Sequence, residues 1–102
     1  MAKGYWVATY QSISNADALA EYAKLAAPAI QAGGGKFLVR GMPSQVYENA
    51  VSQRVVVIEF PSVAAAVATH DSPGYQAALK ALGKGADRGI RIAEGALGRA
   101  DT

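Results

Sequence analysis

The rhythm of apolar and polar positions changes several times along the chain, and each change marks an element. Residues 3–11 (KGYWVATYQ) bring aromatic and β-favouring side chains together and stop at Ser12, which predicts a first strand. The period then lengthens: Leu19, Tyr22, Ala23, Ala26 and Ile30 recur at helical spacing. Ser14 or Asn15 can cap this helix, and Asp17 suits the positive end of its dipole. Pro28 lies inside the pattern and removes one backbone donor, so a kink or a break is expected there before Gly33, Gly34 and Gly35 end the helix.

Alternation returns at residues 36–40 (KFLVR), followed by a turn at Gly41, Met42 and Pro43 and a short stretch, residues 45–48, that could extend the pairing. Residues 54–60 (RVVVIEF) form the clearest strand in the chain. Pro61 and Ser62 stop it and cap an alanine-rich helix over residues 63–69, and Ser72 with Pro73 at the first helical position starts another that runs to Leu82. Gly83 and Gly85 end that layer, and residues 89–94 (GIRIAE) give a last strand before a short polar tail. One domain over residues 1–102, with its core at about 3–96, is the expectation.

The resulting order is strand, helix, strand, strand, helix, strand. Crossovers of one hand, with each helix burying one stripe, turn this order into an α+β, ferredoxin-like βαββαβ fold: a four-stranded antiparallel sheet with its helices on one face. In the third strand Val56, Ile58 and Phe60 point one way and Val55, Val57 and Glu59 the other, so both faces are largely apolar while the helices cover only one. The open face would expose Val55, Val57, Leu38 and part of the first strand, a large patch for a monomer, and a second copy's sheet is the simplest cover. At about 25 cal/mol per Å², hiding several hundred Å² of apolar surface supplies on the order of 10 kcal/mol before association costs.

Composition narrows the function classes. Of 102 residues, 51% are hydrophobic and 18% charged, which excludes disorder and calls for an unusual amount of apolar burial. The net charge is only +2, and the ten Lys and Arg are scattered from Lys3 to Arg99, a distribution that does not follow a nucleic-acid backbone. With no Cys, disulfides, thiolate metal sites and cysteine nucleophiles are excluded. Neither a signal-peptide pattern nor a run of about 18 apolar residues occurs, and a cytoplasmic location without membrane contact is expected.

Four stretches in order, KGYWVATY, GGGKFLVRG, RVVVIEFPS and DSPGYQAAL, resemble the small bacterial proteins of domain-of-unknown-function family 1330. The resemblance runs from Lys3 to about Gly95, with one departure: Gly74 stands where an acidic residue is usual in the SPxYQ segment. It implies the dimeric α+β-barrel superfamily, in which two ferredoxin-like subunits pack sheet against sheet. Relatives there include cofactor-independent monooxygenases, muconolactone isomerase, haem-binding enzymes and stress-response proteins, so the fold spreads over many chemistries.

Few residues offer chemistry. His70 is the sole histidine and stands beside Asp71 where the two later helices meet; it is either a proton shuttle or haem ligand, or a cap on the preceding helix facing solvent. Arg40 and Glu59 fall together on the barrel face if Phe37 and Val39 share the helix side with Val56 and Ile58, and Arg91 can join them. Such a pair would clamp a carboxylate or an enolate-like oxygen and supply a base, or would form a plain ion pair. Tyr22, Trp6, Tyr5 and Tyr10 would line a pocket for a flat ligand or fill a core. The three glycines at 33–35 follow a helix, the wrong order for a phosphate loop, and the sequence holds no metal-ligand spacing or nucleophile elbow.

The candidate pocket is therefore Tyr22, Arg40, Glu59 and His70, with no cofactor indicated by motif. The leading reading is a homodimer that binds a small organic molecule. The alternative is a cofactor-independent monooxygenase or isomerase acting on a small aromatic or lactone-type substrate, and haem binding through His70 is a third.

Overall fold

The computed structural model describes residues 2–96; the tail expected beyond them lies outside the described residues. The elements are β1 (Gly4–Ile13), α1 (Ala16–Ala32), β2 (Lys36–Gly41), β3 (Val55–Phe60), α2 (Val63–His70), α3 (Pro73–Leu82) and β4 (Ala86–Glu94). The sheet is antiparallel throughout in the order β2-β3-β1-β4, with the helices packed on one face, the ferredoxin-like arrangement. No described helix is long and apolar enough to cross a membrane.

Alternation along the central strands builds the core. Trp6, Ala8 and Tyr10 of β1 and Val56, Ile58 and Phe60 of β3 face the helices and are buried. Tyr22, Ala26 and Ile30 of α1 and Tyr75, Ala78 and Leu82 of α3 close over them at helical spacing. Trp6 is the hub, its ring stacked 6.0 Å from Phe60 and edge-on to Tyr75 at 4.9 Å. Each of these rings contributes about 2–3 kcal/mol by leaving water.

Caps fix where the helices start. The side chains of Asn15, Ser62 and Ser72 accept hydrogen bonds from Ala18, Ala65 and Tyr75, satisfying donors that a first turn leaves orphaned. Pro28 neither breaks nor ends α1, which runs continuously through it. Pro28 and Lys24 are both exposed, so the carbonyl that loses its partner turns to water, while the buried stripe on the other side holds the helix together.

Two other expectations give way. Residues 45–48 do not extend the sheet: Glu48 adopts a positive φ of 58° and Ala50 donates to the Tyr47 carbonyl, so turn chemistry wins over pairing. β2 also carries a bulge. Phe37 pairs with Ile58 but Val39 pairs with Val57, so Leu38 is an extra residue that reverses the facing of everything after it. Val39 consequently lies on the open face and Arg40 on the helix side, the reverse of the facing expected from simple alternation.

The face away from the helices carries Tyr5, Val7, Val55, Val57 and Glu59, all half-buried in the single chain. Leu38 and Val39 in β2 and Met42, Tyr47 and Val51 in the following connection are exposed, continuing that apolar surface past the sheet edge.

Candidate functional site

Between α1 and the sheet the two layers do not close completely. α1 turns Ala23, Ala26 and Ala27 toward β1 and β3, and these short side chains leave a cavity of about 50 Å³ that opens to solvent. Its walls are mostly aliphatic with two apolar rings: Leu19, Ile30, Val56 and Ile58 stand beside Trp6 and Phe37. At the other end stand Tyr10, Tyr22 and Arg88, and Arg40 and Arg54 complete the lining. Arg40 is exposed and lays its guanidinium 4.3 Å from the centre of the Phe37 ring, a cation–π contact on the solvent side.

Arg88 organises the polar end. On β4 it pairs with Tyr10 of β1, just before a bulge in that strand, and both side chains point under the helices. Its Nη1 donates to the Tyr10 hydroxyl at 3.0 Å and the Tyr22 hydroxyl at 3.1 Å, and its Nη2 donates to the Tyr75 hydroxyl at 3.1 Å. Tyr22 and Tyr75 share a further hydrogen bond of 2.7 Å. One guanidinium thus fastens β4 to β1, α1 and α3.

These contacts set the protonation states. Burial, and secondarily the neighbouring Tyr22, push the Tyr75 phenol far above the ordinary tyrosine value, so it stays neutral. Burial works against the charge on Arg88, but the oxygens of Tyr22, Tyr75 and Tyr10 more than offset it, and the guanidinium holds its proton even more firmly than usual. The polar end is therefore a fixed cation framed by phenols.

Of the residues singled out from sequence, Tyr22 and Arg40 line this cavity, and Glu59 and His70 do not. Arg40 and Glu59 were expected on one face; the Leu38 bulge puts them on opposite faces. Glu59 lies on the open side, where it accepts a hydrogen bond from the Tyr5 hydroxyl at 3.1 Å and faces Lys3 at 3.8 Å. That bond holds the Tyr5 phenol above its usual range. Arg91 pairs with Val7 and shares the open face.

His70 ends α2, with its Nδ1 3.1 Å from Asp71 and its ring 5.7 Å from Trp6 and 5.2 Å from Tyr75. It packs behind the aromatic hub and is not part of the cavity lining. Among the described residues no group of His, Cys, Asp and Glu is placed to hold a metal ion. The glycines at 33–35 serve packing: a Cβ on Gly33 would run into Thr69, and one on Gly35 would meet Phe60 at 2.9 Å.

Sequence reasoning did not single out Arg88, Arg54 or Tyr75. The signal for Arg88 was present. Starting β4 at Ala86 makes Arg88, Ile90 and Ile92 one alternating set, and an arginine sharing a face with two core isoleucines is a buried cation in search of partners. Tyr75 was quoted only within the SPxYQ segment; its burial depends on how α3 docks, which periodicity over ten residues does not specify.

Solved structures share the architecture at low identity. A protein of unknown function from Rhodopseudomonas palustris matches with a TM-score of 0.73 and 21% identity, over 94% of this chain and 84% of that one. A dimeric ferredoxin-like protein of unknown function from Thermobifida fusca matches at 0.62 and 15%, over 91% of each. The cofactor-independent oxygenase SnoaB from Streptomyces nogalater matches at 0.58 and 16%, over 97% and 100%. Among curated proteins no sequence matches significantly. The sequence profile of one family spans residues 3–96, nearly the whole fold just described, and the chain belongs to that family, Domain of unknown function (DUF1330).

Proposed function

We propose that this chain binds a small, flat organic molecule in the cavity between α1 and the sheet. The observation that carries the reading is the cavity's construction: apolar walls left apart by three alanines of α1, with hydroxyl groups and a guanidinium converging at one end. A few polar groups fixed inside an apolar cleft are the usual build of a small-molecule site.

The test is titration of isotope-labelled protein with naphthalene-2-carboxamide and 2-naphthoate, followed by NMR. Shifts at the Trp6 indole N–H and at Ala26 and Ile30 are expected, and Ala23→Trp, which fills the mouth from the helix side, abolishes them. Neither probe moving these signals, or Ala23→Trp leaving them unchanged, overturns the reading.

A second reading, cofactor-independent oxygenation, draws on the likeness to SnoaB, described as such an oxygenase. In this chain neutral Tyr75 and cationic Arg88 are donors, so the site suits a substrate that arrives already acidic at an oxygen and is held there. Dioxygen uptake with hydroxylated aromatic substrates tests it; no uptake beyond the buffer rate removes it.

The active assembly in this reading is a homodimer in the cytoplasm, formed through the open sheet face. Half-buried Tyr5, Val7, Val55 and Val57, continued by exposed Leu38, Val39 and Met42, support a second copy as the cover, and the Thermobifida fusca protein of the same fold is described as dimeric.

A further inference from the structure

We infer that the cavity's ligand is an organic anion, a flat apolar body ending in a carboxylate that Arg88 receives. This rests on the cavity being a ligand site and adds the chemical class. Two independent counts lead to it.

The first count is of charge. Three arginines, Arg40, Arg54 and Arg88, are among the residues lining the cavity, and no Asp, Glu or His is. Among the described residues, none of the ion pairs involves any of the three. A half-buried guanidinium normally takes a carboxylate partner, because removing a cation from water costs several kcal/mol unless an anion offsets it. At Arg88 phenol oxygens stand in that place, and they stabilise the cation without neutralising it. The end of the cavity therefore retains a net positive potential in a setting of low polarity, where such a potential acts most strongly on an incoming anion.

The second count is of hydrogens. Tyr10, Tyr22 and Tyr75 carry three hydroxyl hydrogens, and all three oxygens already accept from Arg88. Only one of those hydrogens is used, in the bond between Tyr22 and Tyr75. Two hydroxyl hydrogens remain, and the guanidinium has five N–H groups of which three are engaged with the tyrosines. The polar end consists of donors in surplus. The ligand group that answers it accepts at several positions and donates at none, which describes a carboxylate and excludes an amine or an amide nitrogen. The walls require the rest of the molecule to be apolar.

Calorimetric titration with 2-naphthoate and benzoate, each beside its carboxamide, reads the preference directly. Each acid is expected to bind at least about tenfold tighter than its amide, and Arg88→Gln to erase that ratio while leaving amide binding in place. If Arg88→Gln does not fold, Arg88→Lys keeps the charge, removes the forked donors and should lower the ratio severalfold. Acid and amide binding equally to the wild type, or a ratio unchanged in these variants, overturns the anion assignment while the cavity stays a ligand site. Neither acid nor amide binding overturns both.

Discussion

A guanidinium held by three phenols ties the site to stability at the level of single residues. Removing the Tyr75 hydroxyl takes one acceptor from Arg88 and the partner from Tyr22, yet Tyr75→Phe keeps the ring edge-on to Trp6. We expect a loss of about 1–2 kcal/mol in urea unfolding, the cost of leaving buried donors unpaired rather than of lost packing. The pH dependence has a definite sign. Folded Tyr75 keeps its proton above the 10.0 at which the unfolded residue releases it, so its contribution is intact below pH 10.0 and is lost progressively as pH rises beyond it. Urea midpoints should fall through this alkaline range in the wild type and fall less steeply in Tyr75→Phe. Tyr22 was legible from sequence because it sits in a long helical stripe. Arg88 was not, because a strand read from Gly89 starts three residues late and leaves the arginine outside any element.

Among the elements, order and type follow from periodicity, while facing depends on single insertions. β3 needs only its alternating valines to declare both of its faces. β2 reads as regular, but the extra Leu38 turns Arg40 to the helix side of the sheet and leaves Glu59 on the other, and no rule of alternation announces a bulge. Deleting Leu38 should restore simple pairing with Phe37 still opposite Ile58 and Arg40 still opposite Val56, so 2-naphthoate binding measured by calorimetry should be retained; a severalfold loss would mean that the bulge itself shapes the cavity. α1 makes the opposite point: Pro28 is a strong local signal that tertiary burial overrides, since Tyr22, Ala26 and Ile30 anchor the helix on both sides of it. Restoring the missing donor with Pro28→Ala should raise stability by about 1–2 kcal/mol, less than the full cost of a helical proline because the unfolded chain regains freedom. A lower urea midpoint would mean that the ring itself is packed in the native state.

For the molecule as a whole, layer count decides more than any motif. Helices roof one side of four strands, and the two-sided apolar character of β3 makes the bare side legible in the sequence. Val57 lies near the middle of that side, paired with Val7 and Val39. Sedimentation at micromolar concentration should find twice the 10.5 kDa chain mass for the wild type and the single mass for Val57→Asp, with 2-naphthoate binding retained because the cavity opens on the opposite side of the sheet. A wild type that sediments as a single copy would refute the pairing. The hub residue Trp6 is the sole tryptophan of the chain and also a wall of the cavity. All indole fluorescence thus originates at the ligand's doorstep, and the emission colour and brightness of the unlabelled protein will register each arrival, so a library of compounds can be screened by light alone.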